Sequence, residues 1–211
     1  MVSKKDWVFF AKRTLLPQLG EDWVVLRSGH LARSGDDWMV QVAYYNPAAF
    51  PHEAKLLAFV VPLFVRSSSF NLNWHILSRQ RFDWSAEDWM DGAAAWFSTE
   101  ATHFWRDWGT TAGFMAQLDA KYFAPGPENW FPSHWYTVGY AHGLPLLGRA
   151  ESIDTIRADA LAQLGPEPNS LTPLRQAWNV EGQSGAMEYL ADVRDTTMQK
   201  LGLQPLLKQT G

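Results

Sequence analysis

The sequence predicts an α+β fold, in which an N-terminal helix is followed by an antiparallel meander of four or five strands and a helical C-terminal half packed on the sheet. Apolar and polar residues alternate with a period of two through much of residues 21–80, which is typical of strands joined by short connections. Further along the chain the apolar side chains recur at helical spacing. The length of 211 residues favours one domain over 1–211.

The first helix is predicted from Ser3 to Leu16. Ser3 is suited to cap its N-terminus, and Asp6 three residues later completes a pair like a capping box. Pro17 and Gly20 are expected to close the helix, because proline lacks an amide donor and glycine is common just after a helix end. The buried stripe at helical spacing consists of Trp7, Phe10, Ala11 and Leu15.

Strands are predicted where β-branched and aromatic residues lie between turn signals. The segments are Trp23–Leu26, His30–Arg33, Trp38–Tyr44, Leu56–Val65 and Phe70–Leu77. Ser34–Asp37 has the composition of a turn, so we expect a hairpin there. The strict alternation after it predicts a strand with one buried face, and Trp38 and Trp74 are expected to face the same core. Pro62 has no amide to donate to a strand ladder, which favours an edge position or a bulge.

Helices are predicted through the rest of the chain from start signals, apolar spacing and stop signals. They span Ser85–Gly109, Ala112–Phe123, Ser133–Tyr140, Glu151–Leu164, Leu171–Trp178 and Ser184–Leu201. Gly182 and Ser184 begin a pattern similar to the nucleophile elbow of hydrolases, but Ala186 stands where that pattern requires glycine. Ser184 is therefore interpreted as the cap of the last helix.

The composition excludes several kinds of chemistry. No cysteine is present, so disulfides, thiolate metal sites, iron–sulfur clusters and a cysteine nucleophile are ruled out. Lys12 and Arg13 interrupt the first apolar run before it reaches the length of a signal peptide, and Leu56–Val65 is too short to span a bilayer. We therefore expect a cytoplasmic protein with no membrane partner. No phosphate-binding or metal-ligand motif is present, so no cofactor and no metal are expected.

Charge is distributed unevenly along the chain. Residues 1–82, which hold the first helix and the strands, contain 10 Lys and Arg against 6 Asp and Glu, a balance of +4. Residues 83–211, the helical half, contain 8 against 16, a balance of −8, and a subdomain from about residue 144 is an alternative arrangement. Either the halves attract one another, or an acidic helical face meets a basic partner. No basic cluster interleaved with aromatic residues is present, so nucleic acid is not an expected partner.

Glu100, His103 and Asp107 are the best acid/base or metal-ligating candidates. Spacings of three and four residues place them on one face of the predicted helix. Glu-x-x-His is half of a di-iron motif, but such sites need a second copy and further carboxylates, which the chain lacks. The alternative is a solvated polar face opposite a stripe of tryptophans at helical spacing, Trp89, Trp96 and Trp105, which are interpreted as core residues between helices and sheet. No catalytic residue is therefore assigned.

The aromatic segment from Trp130 to Trp135 is interrupted by Pro132 and is predicted to be a structured loop. Tryptophan is common among residues that dominate protein interfaces, so Trp130 and Trp135, with His134 and Tyr136, are candidate binding residues. The alternative is that these aromatic side chains fold back over the core.

The first 80 residues also carry a recognisable order of elements. A capped helix ends in Leu15-Leu16-Pro17, a strand opens at Asp37-Trp38, and a later strand contains Ser69–Trp74. This order resembles a group of small bacterial α+β domains of unknown function, some of which are like immunity proteins in polymorphic-toxin loci. The resemblance covers roughly a third of the chain and implies an α+β fold without catalytic residues.

Three functions are compatible with these features. The leading hypothesis is a non-enzymatic bacterial protein, immunity-like or an adaptor, that binds a basic protein partner through an acidic helical face and loop tryptophans. The second is a small-ligand-binding protein or hydrolase with a Trp-lined pocket between sheet and helices, in which Glu100, His103, His75 and His134 supply polar groups. The third is a homo-oligomeric structural module with a large apolar interface.

Overall fold

The computed structural model describes residues 3–47, 52–70, 72–79, 81–122, 134–155 and 171–207. Over these residues a helix precedes an antiparallel sheet and helices form most of the remainder, which confirms the predicted α+β class. The chain forms two compact units, which consist of Met1–Val61, Phe70–Thr110 and Gly202–Gly211, and of Pro62–Ser69 and Thr111–Leu201. That the two units amount to one domain stays a prediction.

The first unit opens with helix α1 (Lys4–Phe10), a π-helical turn (Ala11–Leu15) and helix α2 (Leu16–Leu19). The predicted capping box is present, because the Ser3 hydroxyl accepts from the Asp6 amide and the Asp6 carboxylate accepts from the Ser3 amide. Pro17 does not end the helix as predicted. It is the second residue of α2, which continues directly from the π-helical turn and ends at Leu19. Gly20, at φ 106°, follows the last helical residue.

Within the described residues six strands form one sheet, in the order β1-β2-β3-β4-β5 with β6 paired to β4. They are β1 (Val24–Val25), β2 (Leu31–Asp36), β3 (Met39–Pro47), β4 (Glu53–Pro62), β5 (His75–Leu77) and β6 (Phe82–Asp83). Ala32 pairs with Val42 between β2 and β3, and Ala58 pairs with Ile76 between β4 and β5. The strand predicted over residues 70–77 is therefore shorter than expected.

The hairpin between β2 and β3 differs from the prediction. Gly35 lies within β2 at a shift in register, and the turn falls at residues 37–38. There the Trp38 amide donates to the Asp36 carboxylate over 2.9 Å, so Trp38 is a half-buried turn residue and not a strand residue. A Cβ on Gly35 would lie 1.7 Å from the Gly109 carbonyl oxygen. Glycine is required at this position by a close backbone approach and not by a turn.

Strand β3 is buried on both faces and not on one. Residues 39–43 are all buried, and they include the polar Gln41. The Gln41 side-chain amide donates to the Gly109 carbonyl oxygen over 3.3 Å, and its oxygen accepts from the Arg33 guanidinium over 2.8 Å. A distant helix end therefore covers the face that the alternation assigned to solvent. Pro62 is the last residue of β4, a strand with neighbours on both sides, so neither an edge nor a bulge is needed.

The second helical stretch of the first unit packs on the sheet. It consists of α3 (Trp89–Trp96), a π-helical turn (Phe97–Ala101) and α4 (Thr102–Trp108). The Trp105 indole donates to the Phe59 carbonyl oxygen of β4 over 3.3 Å. Gly109 ends the stretch, as predicted.

Aromatic side chains fill the interior of the first unit. Trp7 is fully buried, and its indole donates to the Gly29 carbonyl oxygen over 2.8 Å. Trp84 and Trp89 stack with ring centroids 4.2 Å apart. The buried tryptophans of this unit are Trp7, Trp23, Trp74, Trp89, Trp96 and Trp105. The interpretation of the helical tryptophans as core residues is confirmed.

The described part of the second unit is mainly helical. It contains α5 (Thr111–Tyr122), α6 (His134–Gly143), two short 3₁₀ turns (Pro145–Leu147 and Ala150–Ser152) and α7 (Leu171–Leu201). Most of the helix predicted over 151–164 lies outside the described residues. The chain then returns to the first unit with α8 (Gln204–Leu207), which contacts β2 and was not predicted. Among the described helices, none combines the length and apolar character that crossing a membrane requires.

Candidate functional site

Helix α7 in the second unit is two helical arms joined at one residue. Gly182 has φ 59° and ψ −139°, which is not a helical conformation. A side chain is strained in this region of backbone space, so glycine is favoured here by its conformational freedom. The break confirms that two helices occupy this stretch, as the sequence predicted.

Gly185 lets the second arm of α7 approach the first. A Cβ at this position would lie 2.5 Å from the Ala177 carbonyl oxygen and 3.0 Å from the Glu181 Cβ. Both distances are too short for any larger residue without movement of the backbone. The bend at Gly182 and the close approach at Gly185 together shape the surface between the arms.

That surface is a groove of about 370 Å³ that is open to solvent. Its lining residues are Gln176, Ala177, Val180, Glu181, Gly185, Glu188 and Tyr189. We call this the α7 groove. Val180 is 79% exposed, an unusual position for a β-branched apolar side chain.

The two carboxylates of the α7 groove are unpaired. Glu181 and Glu188 are exposed, and within the described residues neither forms an ion pair or a hydrogen bond. Other acidic residues of the second unit differ, since Asp192 lies 3.7 Å from Arg66 and Asp195 lies 3.0 Å from Arg194. The negative charge of the groove is therefore available to a cationic group from outside.

Tyr189 links the α7 groove to the interior of the second unit. Its ring centroid lies 6.2 Å from that of the buried His142. Burial raises the pKa of the Tyr189 hydroxyl, so the phenol is neutral at physiological pH. A neutral phenol ring offers a face to a cation and a hydroxyl to a hydrogen-bonding partner.

His142 is held neutral beneath that ring. Its Nδ1 lies 2.9 Å from the Val138 carbonyl oxygen, and since a carbonyl only accepts, Nδ1 carries the proton. Burial lowers the pKa of His142 to about 4, against the smaller opposing effect of this hydrogen bond. The contact of His142 with Tyr189 is therefore one between two neutral rings.

A second polar cluster in this unit is internally satisfied. The Asp119 carboxylate accepts from the Tyr140 hydroxyl and from the Arg149 guanidinium, whose nearer contact is 2.9 Å. Arg149 also donates to the Tyr140 oxygen over 3.0 Å. Burial, followed by the bond to Asp119, raises the pKa of Tyr140 to about 12. The cluster connects α5, α6 and the segment that follows α6. Because its charged groups are paired with one another, it offers no free group to a ligand.

His30 is the polar group most enclosed by aromatic rings in the first unit. Its ring stacks on Tyr44 with centroids 3.9 Å apart and lies 4.3 Å from Phe70. Nδ1 lies 3.0 Å from the Ser28 hydroxyl, and burial lowers the pKa of His30 to about 4. Such a weak base does not suit proton abstraction from Ser28 near neutral pH. The pair is therefore a local structural contact.

The catalytic candidates lie in the second helical stretch of the first unit. Glu100 lies in the π-helical turn and His103 in α4, and both side chains are exposed. The π-helical turn departs from the regular helical spacing at Glu100, whereas His103 and Asp107 share α4. Asp107 accepts from its neighbour Arg106 over 2.9 Å. Across the described ranges no group of three or more His, Asp or Glu side chains is placed to hold a metal ion. His75 is exposed on β5.

The candidate binding aromatics have mixed outcomes. Trp130 and the side chain of His134 lie outside the described part of the structure. Trp135 and Tyr136 lie in the first turn of α6, and both are half-buried. The loop predicted up to Trp135 therefore ends earlier, while Tyr136 lies in the helix that was predicted over Ser133–Tyr140. Their role in binding stays a prediction.

The lining of the α7 groove was not identified from the sequence. The available signal was the pair of glycines at 182 and 185 beside two acidic residues, and it was compared only with a nucleophile elbow. No protein-family profile, curated protein or solved structure matches this chain.

Proposed function

We propose that this is a non-enzymatic binding protein, immunity-like or an adaptor, that holds a basic segment of another protein in the α7 groove. The observation that carries the proposal is that two unpaired carboxylates, Glu181 and Glu188, line the same groove as the exposed Val180. Acidic groups beside an apolar residue suit a partner segment in which lysine or arginine flanks an apolar residue. A cytoplasmic setting, expected from the sequence, is part of this proposal.

The shape of the groove supports a macromolecular partner. Sites for small molecules enclose most of the ligand surface, whereas the α7 groove is open and leaves Val180 79% exposed. An exposed apolar residue of this kind gains most when a partner surface covers it. Tyr189 adds a neutral ring for contact with a partner guanidinium or ammonium group.

A small organic cation is the second candidate occupant. The volume of about 370 Å³ falls within the range of small-ligand sites, and the carboxylates and Tyr189 suit a positive charge. This alternative keeps the ligand-binding hypothesis but transfers it from a Trp-lined pocket to the α7 groove. It predicts that no protein is captured at Val180.

The test is site-specific photocross-linking in the source cells, with a benzophenone amino acid at position 180. We expect a cross-link to one protein, within a segment in which lysine or arginine flanks an apolar residue. The matched control carries the same group at Gln199, which is exposed on the same helix and outside the groove. Carbodiimide coupling, which joins carboxylates to lysines in contact, is a second arm that leaves Val180 unchanged.

Removal of the charges distinguishes specific capture from general adhesion. The Glu181→Gln/Glu188→Gln variant should reduce the yield of the cross-link by at least about tenfold, because two charge contacts are lost. Equal yields at positions 180 and 199, or a yield unaffected by the charge removal, would contradict the proposal. Binding of a small cation without any protein cross-link would favour the second candidate.

A further inference from the structure

The N-terminal helix of the first unit presents an unpartnered basic face. Lys5, Lys12 and Arg13 are exposed, and within the described residues none of the three forms an ion pair, although the charge of Lys5 contributes to lowering the pKa of the neighbouring Asp6. Phe9 lies among them and is 52% exposed. The Arg13 guanidinium lies 5.6 Å from the centroid of the Phe9 ring. We call these four residues the α1 face.

The exposure of Phe9 is not required by the packing of its own helix. Trp7 and Phe10 supply the buried side and are fully buried. A large apolar side chain on the opposite side, surrounded by cations, is a small but complete contact surface. A surface that complements the α1 face would have an apolar site for Phe9 and carboxylates for the cations.

We propose that the α1 face of one molecule docks in the α7 groove of a second copy. This inference rests on the proposed function, because it uses the same groove and the same recognition chemistry. Phe9 would cover Val180 and Tyr189, and the cations would meet Glu181 and Glu188.

The charges of the two surfaces are complementary. Lys5, Lys12 and Arg13 lie on either side of Phe9 in the α1 face, and Glu181 and Glu188 line the α7 groove together with Val180. The charge balance along the chain agrees with this pairing. Residues 1–82, which contain the α1 face, carry +4, and residues 83–211, which contain the α7 groove, carry −8.

The two surfaces differ, so the contact is heterologous. Each molecule in a contact keeps one unused surface, and assembly continues until a ring closes or the protein is exhausted. Because the contact is small and charged, association should be weak and should decrease as salt is added. Self-association would occupy the α7 groove until a tighter partner displaces the second copy.

The test is the mass of the full chain in solution, measured by light scattering over a range of concentration. We expect wild-type mass to rise with concentration above the monomer value of 23.9 kDa. Two variants each remove one surface without reversing its charge. One is Lys5→Gln/Phe9→Ser/Lys12→Gln, and the other is Val180→Ser/Glu181→Gln/Glu188→Gln. All of these positions except Phe9 and Val180 are charged and exposed, so both variants should fold.

Complementation identifies a heterologous contact. Each variant alone should remain at the monomer mass, and an equimolar mixture should reach twice that mass and no more, because one intact contact remains. A monomeric wild type at every concentration, or a mixture that stays monomeric, overturns the inference. A third variant that changes only Gln199 controls for nonspecific effects and should behave as wild type.

The outcome is separable from that of the proposed function. If the α1-face variant is monomeric and still gives the cross-link to another protein at position 180, both proposals hold. If wild type is monomeric and that cross-link forms, only the self-association fails. If wild type assembles and position 180 cross-links only to residues 3–19 of a second copy, the proposed function fails and the self-association holds.

Discussion

The two units of this protein use their side chains differently. The first encloses six buried tryptophans in a network of ring contacts, of which the stacked Trp84 and Trp89 are one example. In the second unit Trp135 and Trp178 are half-buried. Its polar groups include the Asp119 cluster and the carboxylates of the α7 groove. The abundance of tryptophan is therefore explained largely by packing in the first unit, while the chemistry suited to a partner lies in the α7 groove.

The largest expected effect is that of removing a core indole. Trp7→Ala should lower the free energy of unfolding by about 4 kcal/mol, because a fully buried ring and its bond to the Gly29 carbonyl oxygen are lost. Trp178→Ala, at a half-buried position of the second unit, should cost about 1 kcal/mol. Urea unfolding measures both. Similar losses would break the distinction between the units.

Glycine substitution tests close packing in the first unit. Gly35→Ala should destabilise it by about 3 kcal/mol, because the new Cβ would meet the Gly109 carbonyl oxygen and backbone must move. Gly92→Ala is the matched control on an exposed position of α3, where the nearest atom is a Phe82 ring carbon at 3.3 Å. Its effect should stay within about 1 kcal/mol. Hydrogen exchange in β2 and α4 should report the loss, and unchanged protection would contradict the argument.

Acid should weaken the second unit through His142. Its pKa is about 4 in the folded chain and 6.5 ordinarily, so the unfolded chain binds the proton first as pH falls. The contribution of neutral His142 to the free energy of unfolding is fully present above pH 6.5 and decreases as the pH falls from 6.5 to 4. Below pH 4 the total loss is on the order of 3 kcal/mol. His142→Phe should remove this dependence, and urea unfolding at several pH values measures it. His30 acts in the same direction in the first unit.

If the NMR titration of His142 gives a pKa near 6.5, the ring is not held neutral by burial. In that case the slope of stability against pH would match that of His142→Phe.

The smallest expected effect distinguishes unpaired from paired carboxylates. Glu181→Gln/Glu188→Gln should change the free energy of unfolding by less than about 0.5 kcal/mol, because these groups have no partner to lose. Asp119→Asn should cost about 2 kcal/mol, since Asp119 accepts from Tyr140 and Arg149. Thermal unfolding compares the two. A large loss in the groove variant would show that its carboxylates serve stability and not recognition.

Local signals were sufficient for most element types. The capping box of Ser3 and Asp6 and the stop at Gly109 were predicted because each depends on residues close in sequence. The turn predicted at Ser34–Asp37 was misplaced. Gly35 is required by a close approach to Gly109, and the sequence does not distinguish such a glycine from one required by a turn. The prediction that β3 has only one buried face was also wrong because of a distant contact. The end of α4 covers Gln41 on the other face.

The α7 groove could be predicted only in part. The break between two helices near Gly182 was expected, but the lining depends on the angle between the arms and on the approach of Gly185 to Ala177. The candidates Glu100, His103 and Asp107 were selected on regular helical spacing, which the π-helical turn interrupts. A single extra residue in a turn is set by packing against neighbours and leaves no distinct mark in the sequence.

By itself the sequence determined the fold class, the approximate positions of the helices and strands, and the exclusion of thiol chemistry. Each of these depends on composition or on interactions within a few residues. The tertiary structure alone decided that both faces of β3 are buried and which carboxylates are paired. Asp119 lies on a predicted helix and Glu181 between two predicted helices, and nothing in the residues next to them shows that one is neutralised by Arg149 and the other is unpaired. The physical reason is that pairing and burial depend on residues brought together from distant parts of the chain.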